Sequence, residues 1–238
     1  MKIYAHRGFS GLYPENTMLA FEKAVEVKSD GIELDIHLSK DRKLIVIHDE
    51  YLLRTTGKPG KVGDYTRDEL IKINAGKTKE DKFGFTPIVD FEHYCNYIRD
   101  KNIITNIEIK TNNIYYPGIE EVIVELVKKN KLEENVIFSS FNWLSVVNIK
   151  KIAPYIKTAL LQEDFLTDNI GDLEKSFDFD YFHPDGRLLD EKVLKNCNAN
   201  DIKINAWAVN ELDLFKKLKN WKIEGVITNY PDLMIKNR

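Results

Sequence analysis

The sequence predicts an α/β fold, a (β/α)₈ TIM barrel, from three observations. Short apolar segments alternate from end to end with amphipathic helical segments, as expected for strands buried between layers of helices. Eight such apolar segments occur, the number of strands that closes this barrel. The length of 238 residues suits one barrel domain and is short for two complete domains. We therefore predict a single domain over residues 1–238.

The individual elements are predicted from periodicity and capping residues. In the first helix, Asn16 and Thr17 can cap the start, and Met18, Phe21 and Val25 share one face. The predicted barrel strands lie near residues 2–6, 31–35, 104–110, 136–141, 157–161, 180–183, 202–208 and 225–229. The predicted helices lie near residues 17–28, 90–101, 118–129, 142–152, 170–177, 190–197 and 211–220.

One segment interrupts the alternation of strands and helices. Only the five residues 39–43 separate the second strand from the next apolar segment, whereas a parallel crossover needs a dozen or more residues. The segment 44–48 is therefore expected to run antiparallel to the end of the second strand, in a hairpin centred between residues 40 and 41. Residue i then pairs with residue 81 − i, which places His48 opposite Glu33 at the rim of the barrel.

Residues of about 50–86 are predicted to form an insertion rather than part of the barrel. The stretch contains one possible short helix near residues 67–73, and it is interrupted by turn-forming residues, namely Gly57, Pro59, Gly60, Gly63, Gly76 and Gly84. Insertions that follow barrel strands lie at the face where such barrels carry their active sites. We expect this one to overhang the mouth of the barrel.

Composition excludes several classes of protein. The 35 Lys and Arg against 38 Asp and Glu give a net charge of −3, which predicts neither a nucleic-acid partner nor a polybasic membrane anchor. No apolar run approaches the length of a membrane span, so we expect no stable membrane association. The first strand begins at Lys2, which leaves no room for a signal peptide, and Cys95 and Cys197 stand far apart. A cytoplasmic location is the resulting expectation. The oligomeric state cannot be inferred.

Three carboxylates are predicted to meet at the mouth. Glu33 and Asp35 point to the same side of one strand, because strand side chains alternate, and Glu108 comes from the next parallel strand. Buried carboxylates repel each other and lose hydration, and a divalent cation removes both penalties. Hard oxygen ligands suit Mg²⁺ or Ca²⁺ better than zinc. The alternative is a network without metal in which Arg7 and Lys110 neutralise the carboxylates. The third carboxylate favours the metal.

Two histidines are candidates for acid–base chemistry at the same rim. His6 ends the first strand and His48 ends the hairpin strand, and an imidazole can give or take a proton near neutral pH. We predict that His37 is a supporting or hairpin residue and that His93, on a helix, has no role. His183 is a candidate to line the pocket.

The cations and aromatic residues of the strand ends fit a phosphate diester. Arg7 can offer a fork of donors to phosphate oxygens, and Lys110 a point charge. Phe141 follows a strand, and Trp207 lies near a strand end, where it can either fill the core or contact a substrate. With Tyr115 and Tyr116, these aromatic residues are expected to build an apolar wall that narrows the mouth.

These site residues, taken in their order along the chain, resemble those of the glycerophosphodiester phosphodiesterase family. The resemblance covers essentially the whole chain. The matching segments are AHRG at 5–8, PENT at 14–17, GIELDIHLSKD at 31–41, HD at 48–49, RTT at 54–56, NIEIK at 106–110, SSF at 139–141, WAVN at 207–210 and GVITN at 225–229. Two departures are mild. Ala208 stands where the family often has threonine, and the segment TPIVD at 86–90 is less regular than the family's usual Pro-Thr-Leu-Glu.

The resemblance implies a barrel enzyme that hydrolyses deacylated phospholipids, such as glycerophosphocholine and glycerophosphoethanolamine, to glycerol 3-phosphate and an alcohol with a divalent metal. It implies that His6 and His48 carry the acid–base roles and that Glu33, Asp35 and Glu108 hold the metal. It further implies that Arg7 and Lys110 bind the phosphate and that Arg7 also assists catalysis. Which histidine is the acid, which metal is physiological, which headgroup is preferred and whether a cyclic phosphate forms are left open.

Two other functions remain as alternatives. A lipid-cleaving relative of the lysophospholipase D type would need an exposed apolar rim or an interfacial helix, and the sequence contains no strongly amphipathic basic segment. A barrel that only binds phosphodiesters could lose a histidine or a carboxylate freely, yet all five are present.

Overall fold

The structure, a computed structural model, describes residues 1–164 and 167–238. Within these ranges eight parallel strands close into a barrel, because β1 is hydrogen-bonded to both β2 and β10. The predicted TIM barrel is confirmed. The strands are β1 (Lys2–His6), β2 (Gly31–Leu38), β3 (Leu44–Val46), β4 (Val89–Asp90), β5 (Ile104–Ile109), β6 (Val136–Ser140), β7 (Lys157–Gln162), β8 (Tyr181–Pro184), β9 (Lys203–Ala206) and β10 (Gly225–Thr228). The short strands β3 and β4 extend the sheet outside the barrel.

A helix occurs in every segment where one is predicted. The helices are α1 (Met18–Glu26), α2 (Leu53–Thr56), α3 (Arg67–Leu70), α4 (Phe91–Ile98), α5 (Ile119–Lys129), α6 (Trp143–Ile152), α7 (Ile170–Ser176), α8 (Glu191–Ala199), α9 (Leu212–Asn220) and α10 (Pro231–Lys236). Thr17 caps α1 by accepting a hydrogen bond from the Ala20 N–H, as its position suggests. The short helices α2 and α10 are not among the predicted elements. No described helix is long and apolar enough to cross a membrane.

The hairpin after β2 has the predicted direction and a different register. Strand β3 is antiparallel to β2, but Leu38 pairs with Leu44 and Ile36 with Val46, so residue i pairs with 82 − i and the predicted pairing is wrong by one residue. The cause is a three-residue loop in which Arg42 adopts a left-handed φ of 60°, a common hairpin connection. Strand β3 ends at Val46, and the backbone pairing continues only to the hydrogen bond from the Ile47 N–H to the Asp35 carbonyl, so His48 is not paired with Glu33.

The insertion, residues 50–86, forms a small body with its own apolar cluster beside the mouth. Leu52, Val62, Leu70 and Ala75 of the insertion pack with residues of the hairpin. Lys79 Nζ donates a hydrogen bond of 2.9 Å to the Gly11 carbonyl, so that the insertion is held against the loop that follows β1. This loop and the hairpin both leave the carboxyl ends of barrel strands, and the insertion therefore lies on the mouth side.

One buried carboxyl group in the outer layer of helices lacks hydrogen-bond partners among the described residues. Glu174 of α7 is 1% exposed, and neither of its side-chain oxygens has a hydrogen-bond partner in the described part of the chain. Burial raises the pKa of Glu174 well above its ordinary value of 4.5, because the charged form loses its hydration.

Replacing this group should change the pH dependence of stability. Because the pKa of Glu174 is raised in the folded state, its contribution to the free energy of unfolding is fully present below the ordinary pKa. That contribution is lost as the pH rises toward the raised pKa. We expect Glu174→Gln to match the wild type in free energy of unfolding near pH 4.5 and to exceed it increasingly at higher pH. Urea denaturation across this range measures the difference. The exposed Glu22→Gln of α1 should show no such trend, and a constant difference for Glu174→Gln would contradict the argument.

Candidate active site

A cavity of about 250 Å³ opens at the carboxyl ends of the barrel strands. Almost all the predicted site residues line it, namely His6, Arg7, Glu33, His48, Glu108, Lys110, Phe141 and Trp207. Asp35 is fully buried beside them. Polar residues that were not predicted also line the cavity, namely Glu50, Asn106, Asn112, Asn113 and Glu163. Residues from separate strands and from the hairpin are thus brought to one mouth, as expected for this barrel.

A larger groove lies outside the barrel, between the hairpin and α5. Its volume is about 670 Å³, but its charged side chains pair with one another. Lys129 lies 2.6 Å from Glu92, and Arg67 lies 2.7 Å from Asp90. No histidine lines this groove, so the mouth is the better candidate for chemistry.

The three predicted carboxylates converge in the floor of the mouth. Glu33, Asp35 and Glu108 each offer an oxygen within 4.8 Å of the others, and all three are buried. The barrel register explains the convergence, because Asp35 of β2 stands directly beside Glu108 of the parallel strand β5. Alternation places Glu33 on the same side as Asp35.

The carboxylates differ in their electrostatic surroundings. Burial raises the pKa of Glu33, and the neighbouring charges of Asp35 and Glu108 raise it further. Burial also raises the pKa of Glu108, although Lys110 opposes this shift. At Asp35 the effect of burial is outweighed by His48, Arg7 and Lys110, and the pKa of Asp35 is lowered. One carboxylate is therefore held ionised while the other two resist ionisation.

Cations occupy part of the space around the carboxylates. Lys110 Nζ lies 2.7 Å from Glu108 Oε1 and 3.8 Å from Asp35 Oδ1. Arg7 Nε lies 3.6 Å from Asp35 Oδ2, and the Arg7 backbone N–H donates to Glu33 at 2.8 Å. The cation network weighed as an alternative to a metal is thus present. It leaves Asp35 Oδ1 buried without a hydrogen-bond partner among the described residues. Three hard oxygen donors with one unsatisfied atom fit a divalent cation.

His6 is held in one orientation by an amide. Its Nδ1–H donates to Asn229 Oδ1 at 2.6 Å, which leaves Nε2 without its proton, 3.9 Å from Glu33 Oε2. Burial, and after it the charge of Arg7, lower the pKa of His6 to about 4. A neutral imidazole with a bare Nε2 facing the mouth is a proton acceptor.

His48 is held by a carboxylate and by another histidine. Its Nδ1 lies 2.7 Å from Asp49 Oδ1, and its Nε2 lies 3.2 Å from Lys110 Nζ. The ring of the fully buried His37 donates to the His48 backbone carbonyl at 3.0 Å. His37 thus has the supporting position that was predicted for it.

A chain of ion pairs connects Arg7 to His48 around the outside of the mouth. Arg7 bonds Glu15 at 2.9 Å, and Arg54 of α2 bonds both Glu15 at 2.8 Å and Asp49 at 2.6 Å. Asp49 in turn bonds His48. Sequence reasoning assigned no role to Glu15, Asp49, Arg54 or Asn229. Each of them belongs to a motif that carries the family resemblance, and that membership was the available signal.

The aromatic residues of the mouth divide into two groups. Phe141 and Trp207 form an edge-to-face pair with ring centroids 5.5 Å apart. Tyr116 instead bonds His37 at 3.0 Å, and neither it nor Tyr115 lines the cavity, so their expected part in narrowing the mouth is wrong. His183 is fully buried beneath the mouth, where its Nε2 accepts from Asn205 at 3.0 Å, and it does not line the cavity either.

Comparisons with known proteins agree with this site. Residues 6–233 match the model of the glycerophosphoryl diester phosphodiesterase family. A Caldanaerobacter subterraneus protein named glycerophosphodiester phosphodiesterase is 37% identical over 98% of this chain and 96% of its own length. A Bacillus altitudinis protein of the same name is 37% identical over 100% and 98%. The solved structure of an Oleispira antarctica phosphodiesterase in complex with the product sn-glycerol-3-phosphate superimposes with a TM-score of 0.90, at 26% identity, over 99% of this chain and 96% of that one.

Metal binding should be visible as a gain in stability. A cation that binds only the folded state stabilises it by about 2.7 kcal/mol at a hundredfold excess over its Kd. We expect Ca²⁺ or Mg²⁺ to raise the Tm of the wild type and EDTA to reverse this. Glu108→Gln should abolish the shift, whereas Glu22→Gln should keep it. Equal shifts in Glu108→Gln and the wild type would exclude the three carboxylates as the metal site.

Loss of the Arg54 bridge should destabilise the protein. Arg54→Met leaves the half-buried Glu15 and Asp49 without their shared partner. Since Arg54 is itself 42% exposed, we expect a loss of about 1–2 kcal/mol in free energy of unfolding. Arg99→Met at the end of α4, which removes the exposed pair with Asp100, is the control and should cost less than about 1 kcal/mol. Denaturant titration compares the two variants, and equal losses would mean that the bridge adds nothing.

Proposed function

The chain belongs to the glycerophosphoryl diester phosphodiesterase family, and we propose that it hydrolyses glycerophosphodiesters such as glycerophosphocholine and glycerophosphoethanolamine to glycerol 3-phosphate and the free alcohol. The observation that carries this proposal is the arrangement of two histidines, Arg7 and Lys110 around three convergent carboxylates in one small mouth. The sn-glycerol-3-phosphate product held by the Oleispira antarctica phosphodiesterase supports the same chemistry.

Glu33, Asp35 and Glu108 are proposed to hold a divalent cation, Mg²⁺ or Ca²⁺. When bound, the cation would neutralise the diester and its developing negative charge by Lewis-acid chemistry. The buried and unsatisfied Asp35 Oδ1 supports this assignment. Lys110 and Arg7, which face the same carboxylates, would then be free to turn part of their charge toward phosphate oxygens.

The two histidines are proposed to divide the proton transfers. His6 is neutral and presents a bare Nε2, and it would take the proton of the attacking water or glycerol hydroxyl as the new P–O bond forms. His48 has a carboxylate, Asp49, at Nδ1, which would balance the positive charge of an imidazolium. Once Lys110 turns from His48 Nε2 to the phosphate oxygens, a protonated Nε2 would give its proton to the departing alcohol oxygen as the old P–O bond breaks. Lys110, 3.2 Å from that nitrogen, would stabilise the phosphate charge.

The shape of the mouth supports a headgroup rather than a lipid with two acyl chains. A volume of about 250 Å³ is below the usual range for drug-sized ligands. The Phe141 and Trp207 pair can hold a choline or ethanolamine cation at about 0.5–2 kcal/mol per good contact. Glu50 and Glu163 add negative charge to the lining. We propose these residues as the alcohol side of the substrate site.

The remaining parts of the proposal concern the protein as a whole. We propose that the chain acts as one domain, with the insertion serving the barrel mouth. Cys95 and Cys197 are both buried free thiols, which fits a reducing compartment, and the cytoplasm is the proposed location.

Turnover of glycerophosphocholine tests the proposal. Release of glycerol 3-phosphate should require the metal and stop in EDTA. His6→Gln and His48→Gln should each lower kcat by about 10²–10⁴, the usual contribution of a proton-transfer group. His93→Gln, an exposed histidine of α4, is the matched control and should leave kcat unchanged.

The same assay separates the alternatives. A kcat/KM that is higher for lysophosphatidylcholine than for glycerophosphocholine would assign the protein to the lipid-cleaving type. Binding of both compounds without turnover of either would leave a phosphodiester-binding barrel. Full activity in exhaustive chelator would contradict the metal role.

A further inference from the structure

The mouth face carries large hydrophobic side chains that are exposed to solvent. Leu12 is 53% exposed, Phe83 40%, Phe85 65% and Tyr230 38%. These four residues, which we call the apolar rim, come from three separate connections that follow β1, β3 and β10. Single exposed hydrophobic side chains are ordinary, whereas a contiguous group marks an interaction surface.

The two chain neighbours of Leu12 contact two other members of the apolar rim. The Phe83 ring lies 5.2 Å from the ring of Tyr13, which follows Leu12 in the chain. On the other side, Gly11 lies so close to Tyr230 that a Cβ at this position would be 2.5 Å from the tyrosine ring. The rim therefore continues from the insertion, across the loop after β1, to the loop after β10.

Phe83 and Phe85 stand on a projecting turn. Gly84 between them has a φ of 70°, and a Cβ placed on it would meet nothing within 4 Å. The segment Phe83-Gly84-Phe85 thus forms a tip that is open at Gly84, with the Phe85 ring exposed and the Phe83 ring lying against Tyr13. Such a tip can enter a deformable surface, such as a lipid layer, without any movement of the barrel.

The insertion, which carries Phe83 and Phe85, differs in net charge from the chain as a whole. The insertion contains eight Lys and Arg against six Asp and Glu, while the chain carries a net charge of −3. Lys58, Lys77 and Lys82 of the insertion are all exposed. Glu80 and Asp81 are exposed as well, and Lys82 lies 3.1 Å from Glu80. Apolar side chains flanked by exposed lysines suit a surface that is apolar beneath an anionic layer.

The apolar rim is continuous with the mouth. The Gly11 N–H donates to the Asn229 carbonyl at 2.9 Å, and the side chain of the same Asn229 orients His6. Tyr230 is the next residue in the chain. A flat lipid surface lying on the rim would therefore meet the protein beside the site residues, where a phosphodiester headgroup is presented.

We propose that the apolar rim docks reversibly on an anionic lipid surface. The rings of Phe83 and Phe85 enter the interface while the lysines of the insertion contact anionic headgroups. The docking itself is independent of the reaction, whereas its purpose, bringing the mouth to phosphodiesters held or released at a lipid surface, rests on the proposed function. The docking is too small for stable anchoring and is consistent with the absence of a spanning helix among the described residues.

Vesicle sedimentation tests this proposal. Vesicles of phosphatidylcholine mixed with phosphatidylglycerol should pellet the wild type, and vesicles of phosphatidylcholine alone should pellet less of it. Raised salt should weaken binding, because it screens the lysines. The double variant Phe83→Ser and Phe85→Ser should bind at least about tenfold more weakly. Lys77→Glu with Lys82→Glu should lose the preference for the anionic vesicles.

Matched controls lie at the opposite end of the barrel. Tyr155 is 58% exposed in the connection before β7, and Lys151 is exposed at the end of α6. Tyr155→Ser and Lys151→Glu should bind vesicles as the wild type does. All variants should turn over dissolved glycerophosphocholine at the rate of the wild type, which shows that the fold and the mouth are intact.

Three results would overturn the proposal. In the first, the wild type binds neither kind of vesicle. In the second, Tyr155→Ser loses as much vesicle binding as the Phe83 and Phe85 variant. In the third, the protein self-associates and the Phe83 and Phe85 variant abolishes that self-association. A failure of the proposed function would look different. The wild type and the variants would then show the expected vesicle binding, but none of them would release glycerol 3-phosphate.

Discussion

Mutual repulsion among Glu33, Asp35 and Glu108 is the constraint on which the other features of the mouth depend. Three carboxylates within 4.8 Å of one another in a buried floor would be unstable without compensating charge. Lys110 and Arg7 supply part of that charge. The ion pairs that run from Arg7 through Glu15 and Arg54 fix the position of the Arg7 side chain. The orientation of His48 then follows, since His48 ends this chain of ion pairs, whereas the Asn229 amide orients His6.

The sequence predicted most of what lies inside the barrel. Strand periodicity placed Glu33, Asp35 and Glu108 on one side of adjacent strands, and the register of β2 and β5 confirms that placement. This inference succeeds because parallel strands end at one face and their side chains alternate strictly. The same reasoning brought His6 to the mouth, since it ends the first strand.

Features outside the barrel were predicted less well, for physical reasons. The hairpin register depended on the left-handed Arg42, a conformation that no pattern of hydrophobic residues reports. His48 contacts the adjacent Asp49, the buried His37 and Lys110. These are side-chain contacts that the periodicity of the sequence does not report. The apolar rim was missed in the same way. No single segment is amphipathic and basic, because the rim is assembled from Leu12, Phe83, Phe85 and Tyr230 on separate connections.

The closure of the barrel also places both chain ends. Strand β1 pairs with β10 from Lys2 and Gly225 upward, and Arg238 at the end of the chain bonds Asp30 just before β2. Both termini therefore lie at the amino ends of the strands, opposite the mouth. Residues 1 and 238 thus lie at one pole of the barrel and the mouth at the other, so a tag, a fused domain or a solid support joined at residue 1 or 238 leaves the mouth facing outward.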